Sequence, residues 1–368
     1  MSKFLHAARF ALPTLLFGYG VFANLAMLVE QSPKVNLPES GLLSGGLTRD
    51  LDSLYKKDLP HMTLSFGLIG AARYAVLGEA RQGAVVGQDG WLFSAEEVRP
   101  LPSSGALAEV VDTVQDIRSQ LAAAGTDLVV VPLPAKIDIY RDVSPNAVFG
   151  ASLEALYADF SADLAARGIA VVDARSALLN PAEPVFFATD THWTPYGAHM
   201  IAAAVAVSGT VDPGPLAYER IDEAAKTLTG DLVSFVTTPA LAPGIGLPSE
   251  TVTPAVLTAA ESGADIFGDA SADIVLVGTS YSANTDWDFA NALMELLGRD
   301  VISEAQQGLG PLKPMQAYLD SAGFREAPPK VVIWEIPIRY LTDPAIWPVP
   351  DAVAPKVAAL PPKENADG

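Results

Sequence analysis

Short apolar runs alternate along this chain with longer segments whose apolar positions recur at helical spacing. The runs are rich in Val, Ile and Leu and nearly continuous, as expected of strands buried on both faces of a parallel sheet. We predict strands at 127–131, 169–172, 273–277, 301–302 and 331–336. Helices are predicted at about 104–124, 153–167, 195–207, 284–297 and 312–321. This alternation is typical of an α/β fold, a parallel sheet flanked by helices on both faces.

The segments outside this alternation suggest the domain organisation. Val85-Val86 and Trp91-Leu92-Phe93 flank the turn Gln88-Asp89-Gly90 and predict a hairpin over 84–93. Residues 208–270 are rich in Gly, Pro, Thr and Ala, so we expect a loop-rich insertion that frames the cleft. We expect a main domain at 84–345, a juxtamembrane region at 31–83 and a disordered Pro- and Ala-rich tail at 346–368.

The amino-terminal residues 1–30 predict a membrane anchor or a signal peptide. Residues 10–29 carry no charge, and at about 1.5 Å per residue they are just long enough to cross a hydrocarbon core of ~30 Å. Lys3 and Arg9 precede them, which places the amino terminus in the cytoplasm and the domain outside. The alternative is cleavage near Val21-Phe22-Ala23. The domain is therefore expected in the periplasm, anchored to the inner membrane or soluble after cleavage.

Composition excludes several classes of function. The net charge of −20 argues against nucleic acid binding, and against an anionic substrate held by long-range attraction unless a local basic cleft overrides it. Hydrophobic residues make up 50% of the chain, which is ample for a buried core. There is no cysteine and there are four histidines, so a disulfide or a thiolate metal site is impossible. We predict neither a metal nor a cofactor.

Ser280 is the candidate nucleophile. The strand at 273–277 ends at Gly278 and a helix is predicted from about Asn284, so Ser280 lies in a strand-to-helix turn. Such turns lie at the sheet edge where open α/β folds bind their ligands. The free N–H groups of the helix N-terminus would face a negative charge that develops on a bound carbonyl. Ser282 is the alternative nucleophile.

His192 is the candidate general base, because a serine hydroxyl needs one to react near neutral pH. His192 follows the apolar pair Phe186-Phe187 and precedes Pro195, which opens a helix. In an extended segment, side chains two residues apart share a face. Asp190 would then hold the Nδ1–H of His192 and leave Nε2 free for Ser280.

These stretches resemble one protein family. Asp190-Thr191-His192-Trp193, followed later by Gly278-Thr279-Ser280-Tyr281-Ser282, resembles the SGNH-hydrolase-like domain of the alginate O-acetyltransferase family of AlgJ and AlgX. The resemblance covers roughly residues 50–342, and this family resembles a circular permutation of ordinary SGNH hydrolases, which carry the serine first. Supporting stretches are Val85–Phe93, Val131–Lys136, Gly230–Leu232 and Ile333–Tyr340.

The resemblance implies an O-acetyltransferase that acts on an exported polysaccharide. Ser280, His192 and Asp190 would form its triad and an acetyl-serine its intermediate. It also implies a membrane-bound O-acyltransferase as the acetyl supplier. The same triad would serve an exported carbohydrate acetylesterase, so that alternative stays open. A non-catalytic glycan-binding scaffold is the third reading, although such a scaffold has no need of an activated serine.

Four further residues are candidates for stabilising the oxyanion or positioning substrate. Gly308 lies in a glycine loop where unpermuted SGNH enzymes donate a backbone N–H. Their asparagine is replaced here at Glu335, so Arg339 could supply positive charge, anchor Glu335 or form a structural ion pair. Tyr281 directly follows the nucleophile. Lys136 follows a predicted strand and is either a surface residue or a contact for the acceptor or donor.

Overall fold

The computed structural model describes residues 2–31, 62–259 and 273–347, with the single positions 49, 52 and 55. The chain divides into two compact units. The first comprises Met1–Glu79 with Val236–Ile245, and the second comprises Ala80–Phe235 with Gly246–Gly368. The predicted tail lies outside the described residues from position 348 onward, as does most of the predicted juxtamembrane region between 32 and 61.

The second unit is built on a parallel sheet. In chain order, the strands of the described residues are β1 Ala84–Val86, β2 Leu92–Ser94, β3 Asp127–Leu133, β4 Ala170–Val171, β5 Tyr218–Asp222, β6 Lys226–Leu228, β7 Glu250–Val252, β8 Ala255–Ala259, β9 Ile274–Val277, β10 Val301–Ser303 and β11 Val331–Pro337. Five of them form one sheet in the order β10-β9-β11-β3-β4, and every neighbouring pair is parallel. The predicted parallel sheet is therefore confirmed, and the predicted hairpin is present as the antiparallel pair β1 and β2.

Helices cover both faces of this sheet. In chain order, the α-helices of the described residues are α1 Ser2–Gln31, α2 Met62–Leu77, α3 Ser104–Ala123, α4 Lys136–Ile139, α5 Ala147–Ala166, α6 Ala174–Ala177, α7 Pro195–Val207, α8 Ser280–Ala283, α9 Phe289–Leu297, α10 Leu312–Leu319 and α11 Ala322–Glu326. Residues of α3, α5 and α10 share one buried cluster, and residues of α7 and α9 share the other.

Each central strand supplies side chains to both clusters, because successive residues of a strand point to opposite faces. In β11, Val332, Trp334 and Ile336 pack with α3, α5 and α10, whereas Ile333 packs with α7 and α9. In β9, Val277 packs with α3, α5 and α10, and Leu276 packs with α7 and α9. Burial on both faces explains why these strands read as almost continuous apolar runs.

Polar side chains fix where the principal helices begin. Ser103 caps α3 and Thr194 caps α7, so both helices begin at the predicted residues. Asn146 accepts the backbone N–H of Val148 at 2.9 Å and starts α5 at Ala147, earlier than the apolar spacing predicted.

Within residues 208–259, the loop-rich insertion that composition predicted also contains four short strands. Strand β5 pairs with β8, and β6 pairs with β7, in two nested antiparallel ladders. Their residues are mostly exposed or half-buried, so these strands lack the apolar alternation that marks a strand in a sequence. Positions 260–272 of the predicted insertion lie outside the described residues.

The helix predicted from about residue 284 begins later. The single turn α8 carries Ser280, a 3₁₀ helix follows at Thr285–Trp287, and α9 starts at Phe289. Asp288 separates the last two with a φ of 64°, in the left-handed region that a right-handed helix does not pass through. The helix directly after Ser280 is therefore only one turn long.

The first unit contains α1, α2 and a 3₁₀ helix at Pro243–Ile245. The carbonyl of Gly67 in α2 accepts a hydrogen bond from the Thr237 hydroxyl at 2.9 Å, and a Cβ on Gly67 would lie 2.8 Å from Thr238 Cγ2. Within the residues described, no helix combines the length and apolarity that a membrane span needs, so the anchor expected at residues 10–29 is not supported.

Two isoleucines test the assignment of the sheet centre. Ile333 in β11 is completely buried, whereas Ile302 in the edge strand β10 is 48% exposed. Ile333→Ala should lower the free energy of unfolding by about 2–5 kcal/mol, because it leaves a cavity in the core. The matched Ile302→Ala should cost about 0.5 kcal/mol or less. Urea unfolding measures both, and equal losses would contradict the strand order.

Candidate active site

The carboxyl ends of three strands bring the predicted site residues to one edge of the sheet. Strand β11 lies between β9 and β3 and pairs in parallel with both. Ser280 follows β9, Lys136 follows β3, and Glu335 lies near the end of β11. This edge is where open α/β sheets place their ligands.

A buried carboxylate holds the turn that carries Ser280. Glu335 is completely buried and accepts the Thr279 N–H at 2.7 Å, the Thr279 hydroxyl at 3.0 Å and the Ser282 hydroxyl at 2.9 Å. Burial raises the pKa of Glu335, and these hydrogen bonds oppose the rise. Because Ser280 lies between the two bound residues, its backbone is fixed on both sides. Ser282 is occupied by Glu335, which leaves Ser280 as the serine with a hydroxyl available for chemistry.

Ser280, His192 and Asp190 form a continuous hydrogen-bonded row. Ser280 Oγ lies 2.7 Å from His192 Nε2, and His192 Nδ1 lies 2.6 Å from Asp190 Oδ1. Asp190 is buried, and 13% of the His192 side chain is exposed. With Nδ1–H donated to Asp190, Nε2 is free to accept the Ser280 proton. The structure thus brings together the three residues that the sequence singled out.

The contact between Asp190 and His192 arises in a bent loop, and the extended segment expected there is wrong. Phe186 and Trp193 form a single antiparallel bridge, and the chain bends between them. Asp190 Oδ1 also accepts the backbone N–H of His192 at 2.9 Å. An aspartate that bonds to the backbone two residues on makes a local turn, and this turn sets the contact.

Asp231 supports the Asp190 loop from a segment forty-one positions further along the chain. Its N–H donates to Asp190 Oδ2 at 2.9 Å, and its carboxylate accepts the N–H of Thr191 at 2.8 Å and the Thr191 hydroxyl. A Cβ on Gly230 would overlap the Thr189 carbonyl, so glycine permits this approach. The family-like stretch Gly230–Leu232 was the only signal for this contact in the sequence.

Glu250 holds the start of the same loop. Its carboxylate accepts the N–H of Ala188 at 2.6 Å, and the N–H and hydroxyl of Thr189 at 3.0 and 2.7 Å. No motif marked Glu250, because it lies in β7, a three-residue strand without apolar alternation.

Lys136 lies beneath the loop, which differs from both roles expected of it. It is 1% exposed, and its Nζ donates to the carbonyls of Leu92 at 2.6 Å, Ala188 at 2.9 Å and Asp190 at 2.9 Å. All three ammonium hydrogens are therefore used by backbone groups. Burial lowers the pKa of Lys136 to about 8, and the neighbouring carboxylates Glu97, Glu250, Asp190 and Asp231 oppose that change.

Tyr281 and Arg339 form a buried pair behind the imidazole. The Tyr281 hydroxyl donates to the Thr191 carbonyl at 2.8 Å and accepts from Arg339 Nη1 at 3.3 Å. Burial raises the pKa of Tyr281 well above its ordinary value, so the hydroxyl stays neutral. Arg339 pairs with Glu96 at 3.2 Å. Of the alternatives for Arg339, a structural ion pair is therefore present, and Glu335 is held by other groups.

Gly308 lies in an exposed turn after β10. Its φ of 74° lies in the left-handed region, which by itself favours glycine. No described atom lies within 4 Å of a Cβ built on Gly308. Its role as an oxyanion donor stays a prediction.

Two aromatic rings enclose the imidazole of His192. The ring of Trp287 stacks on it, with ring centres 5.4 Å apart and planes at 27°. The ring of Tyr281 approaches at 4.9 Å and 61°. The sequence did not single out Trp287, because its 3₁₀ helix falls within the segment that apolar spacing assigned to an α-helix.

Asp190, His192 and Asp231 place possible metal-ligand atoms within 4.8 Å of one another, and they are the one such group in the described part of the chain. Both carboxylates already accept backbone N–H groups. An ion would have to displace these bonds, so the donor set suits hydrogen bonding within the protein better than metal binding.

The chain is similar to several known proteins. A family described as SGNH hydrolase-like domain, acetyltransferase AlgX, matches residues 84–338. The probable alginate O-acetylase AlgJ of Pseudomonas aeruginosa is 36% identical over 321 residues, which cover 82% of each chain. That of Pseudomonas fluorescens is 38% identical over 319 residues, 82% of this chain and 79% of the relative. The solved O-acetyltransferase domain of Pseudomonas putida AlgJ matches with a TM-score of 0.62 and 33% identity, over 71% of this chain and 93% of that one.

Gly278→Ala tests the contact between Glu335 and the Ser280 turn. A Cβ at position 278 would lie 2.5 Å from Glu335 Oε2 and 2.9 Å from Ser282 Oγ. These groups must then move, and the free energy of unfolding should fall by about 1–3 kcal/mol. The control is Gly323→Ala in α11, where the nearest atom to a Cβ lies 3.7 Å away and alanine favours the helix by about 1 kcal/mol. Denaturant unfolding should therefore show a lower free energy of unfolding for Gly278→Ala and a higher one for Gly323→Ala. A Gly278→Ala variant as stable as wild type would contradict the geometry.

The pKa of Asp190 predicts a pH dependence of stability. Burial raises this pKa, but the hydrogen bonds and charge of His192 and the Asp231 N–H outweigh burial and hold it below its ordinary value. The stabilisation is fully present above the pKa of an unfolded aspartate, about 3.9, and is lost as the pH falls through the lower folded pKa. The Tm difference between wild type and Asp190→Asn should therefore be largest near neutral pH and shrink below about pH 4. A difference independent of pH would count against this assignment.

Proposed function

Because this chain belongs to the family of SGNH hydrolase-like acetyltransferases that includes AlgX and AlgJ, we propose that it transfers acetyl groups to hydroxyls of an exported polysaccharide. Its relatives are named as probable alginate O-acetylases, so alginate is the acceptor that we propose. The observation that carries the proposal is the row of Ser280, His192 and Asp190, joined at 2.7 and 2.6 Å. We place the reaction in the periplasm, with a membrane-bound O-acyltransferase as acetyl supplier.

In the first half-reaction, His192 Nε2 takes the proton of Ser280 Oγ, and that oxygen attacks the carbonyl carbon of a donor acetyl ester. The tetrahedral intermediate collapses, and the departing donor oxygen takes the proton from His192. The acetyl group remains on Ser280 as an ester. Asp190 accepts the Nδ1–H throughout and stabilises the imidazolium that forms.

In the second half-reaction, a sugar hydroxyl replaces the donor alcohol. His192 Nε2 takes its proton, and the sugar oxygen attacks the carbonyl of the acetyl-serine. Collapse of the second intermediate returns the proton to Ser280 and releases the acetylated sugar. Water in place of the sugar would give hydrolysis, so transfer requires that water be excluded from the acetyl-serine.

The turn around Ser280 also bears on the oxyanion. Ser280 is the first residue of α8, so its backbone N–H has no partner within the helix. We propose this N–H as one donor to the oxyanion and retain Gly308 as the candidate for a second.

The proposal is tested with the purified chain, a chromogenic acetyl ester and alginate oligosaccharides. We expect chromophore release, and mass spectrometry should show acetylated oligosaccharides. Release without any acetylated oligosaccharide would favour the carbohydrate acetylesterase. Binding of oligosaccharides without release would favour the glycan-binding scaffold.

Ser280→Ala should lower both release and transfer by about a thousandfold or more, with little change in Tm, because it removes the nucleophile. His192→Ala should be as damaging, and the double variant should be little worse than either single one, since triad members act as a unit. Ser282→Ala is the comparison: it keeps the nucleophile and the two Thr279 bonds to Glu335, so it should lose far less activity than Ser280→Ala. Steady-state rates of these variants measure the losses. Additive losses in the double variant would contradict the triad.

A further inference from the structure

An indole covers one face of the His192 ring. The ring centre of Trp287 lies 5.4 Å from that of His192 with the planes at 27°, which is an offset stack. Phe187 lies 5.2 Å from the indole as a second aromatic neighbour. Trp287 is 3% exposed, so the contact between the two rings is shielded from water.

The turn that carries Trp287 is held by groups other than the imidazole. The backbone N–H of Trp287 donates to the Asn284 carbonyl at 3.1 Å. The next residue, Asp288, is bound by Arg220 and by Asn291 Nδ2, the latter at 2.6 Å. Among the described residues, the indole N–H has no hydrogen-bond partner. Backbone turn and packing therefore set the position of the ring.

We infer that Trp287 is a positioning residue for His192, and that its aromatic face stabilises the imidazolium formed when Ser280 gives up its proton. This inference rests on the proposed function. The negative face of an aromatic ring attracts a cation, and the attraction is stronger when both are desolvated. Because the imidazole carries more positive charge in the transition state than at rest, such a contact accelerates the reaction.

The charged and titratable groups around His192 come from several segments. They are Asp190 from its own loop, Asp231 from the 3₁₀ helix at Asp231–Phe235, Tyr281 with Arg339 behind it, and Lys136 bound to the Asp190 carbonyl. Substitutions at Trp287 leave all of these groups in the chain. A change in pH dependence therefore reports on the lost aromatic face.

Trp347 supplies a matched control. It is also 3% exposed, and its indole N–H likewise lacks a partner in the described part of the chain. Its aromatic neighbour is Trp334, at 6.2 Å, in the cluster on the other face of the sheet. Replacing either tryptophan thus removes a buried indole of the same kind, but only Trp287 touches the imidazole.

The experiment measures acetyl release by the full chain across pH for Trp287→Leu, Trp287→Phe and Trp347→Leu. Trp287→Leu should lower the rate about three- to thirtyfold and move the acid limb of the pH–rate profile to lower pH by about half a unit or more. Trp287→Phe keeps an aromatic face, so it should retain most of the wild-type rate and an acid limb close to the wild-type pH. Trp347→Leu should leave the acid limb in place.

A uniform rate loss in Trp287→Leu with an unmoved acid limb would overturn the inference, because a merely structural role predicts that result. Ser280→Ala separates this failure from that of the proposed function. If Ser280→Ala still releases acetyl groups, the proposed function fails. If Ser280→Ala is inactive while Trp287→Leu keeps the wild-type profile, only the role of Trp287 fails.

Proton NMR of the histidine rings adds a readout that needs no activity. Only four histidines must be assigned. A stacked indole shields the ring protons of His192, so Trp287→Leu should move their resonance downfield while Trp347→Leu leaves it unchanged. An unmoved resonance in Trp287→Leu would show that the two rings do not stack in solution.

Discussion

The geometry of the site depends on one buried carboxylate, that of Glu335. A carboxylate without water is tolerated only if hydrogen-bond donors surround it, and here three donors come from the residues on either side of Ser280. Glu335 belongs to β11, which pairs directly with the strand leading to Ser280. The position of the serine is thus a property of the central sheet, and any shift in that strand pairing would move it.

The histidine side of the site is built differently. Within the described residues, no ladder of strands holds the loop from Ala188 to His192, and side chains from other segments bind its backbone. Asp231 and Glu250 accept its N–H groups, and Lys136 donates to its carbonyls. Such a polar network is rigid only while every member is satisfied. Ser280 is therefore held by the central sheet and His192 by a loop, and Ser280 Oγ lies 2.7 Å from His192 Nε2.

The sequence predicts those parts of the molecule that local patterns encode. Apolar runs predicted the strands of the parallel sheet, and Gly278 at the end of one run predicted the turn that carries Ser280. The contact of Asp190 with His192 was expected, although from an extended segment where the structure has a bent loop. Asp231, Glu250 and the buried place of Lys136 were missed, because these contacts join segments far apart in the chain, which neither periodicity nor spacing reports. Trp287 was missed because the predicted helix ran through it, whereas Asp288 interrupts that helix with a left-handed conformation.

The strand order also constrains how the domain acquires its structure. Among the described strands, β11 is last in the chain, yet it lies between β9 and β3. Until residues 331–337 are available, the earlier strands β3 and β9 each present an unpaired edge, which other chains can pair with. Because a polypeptide is synthesised amino terminus first, both edges stay open until β11 has been made, and the centre of the sheet is the last part to close.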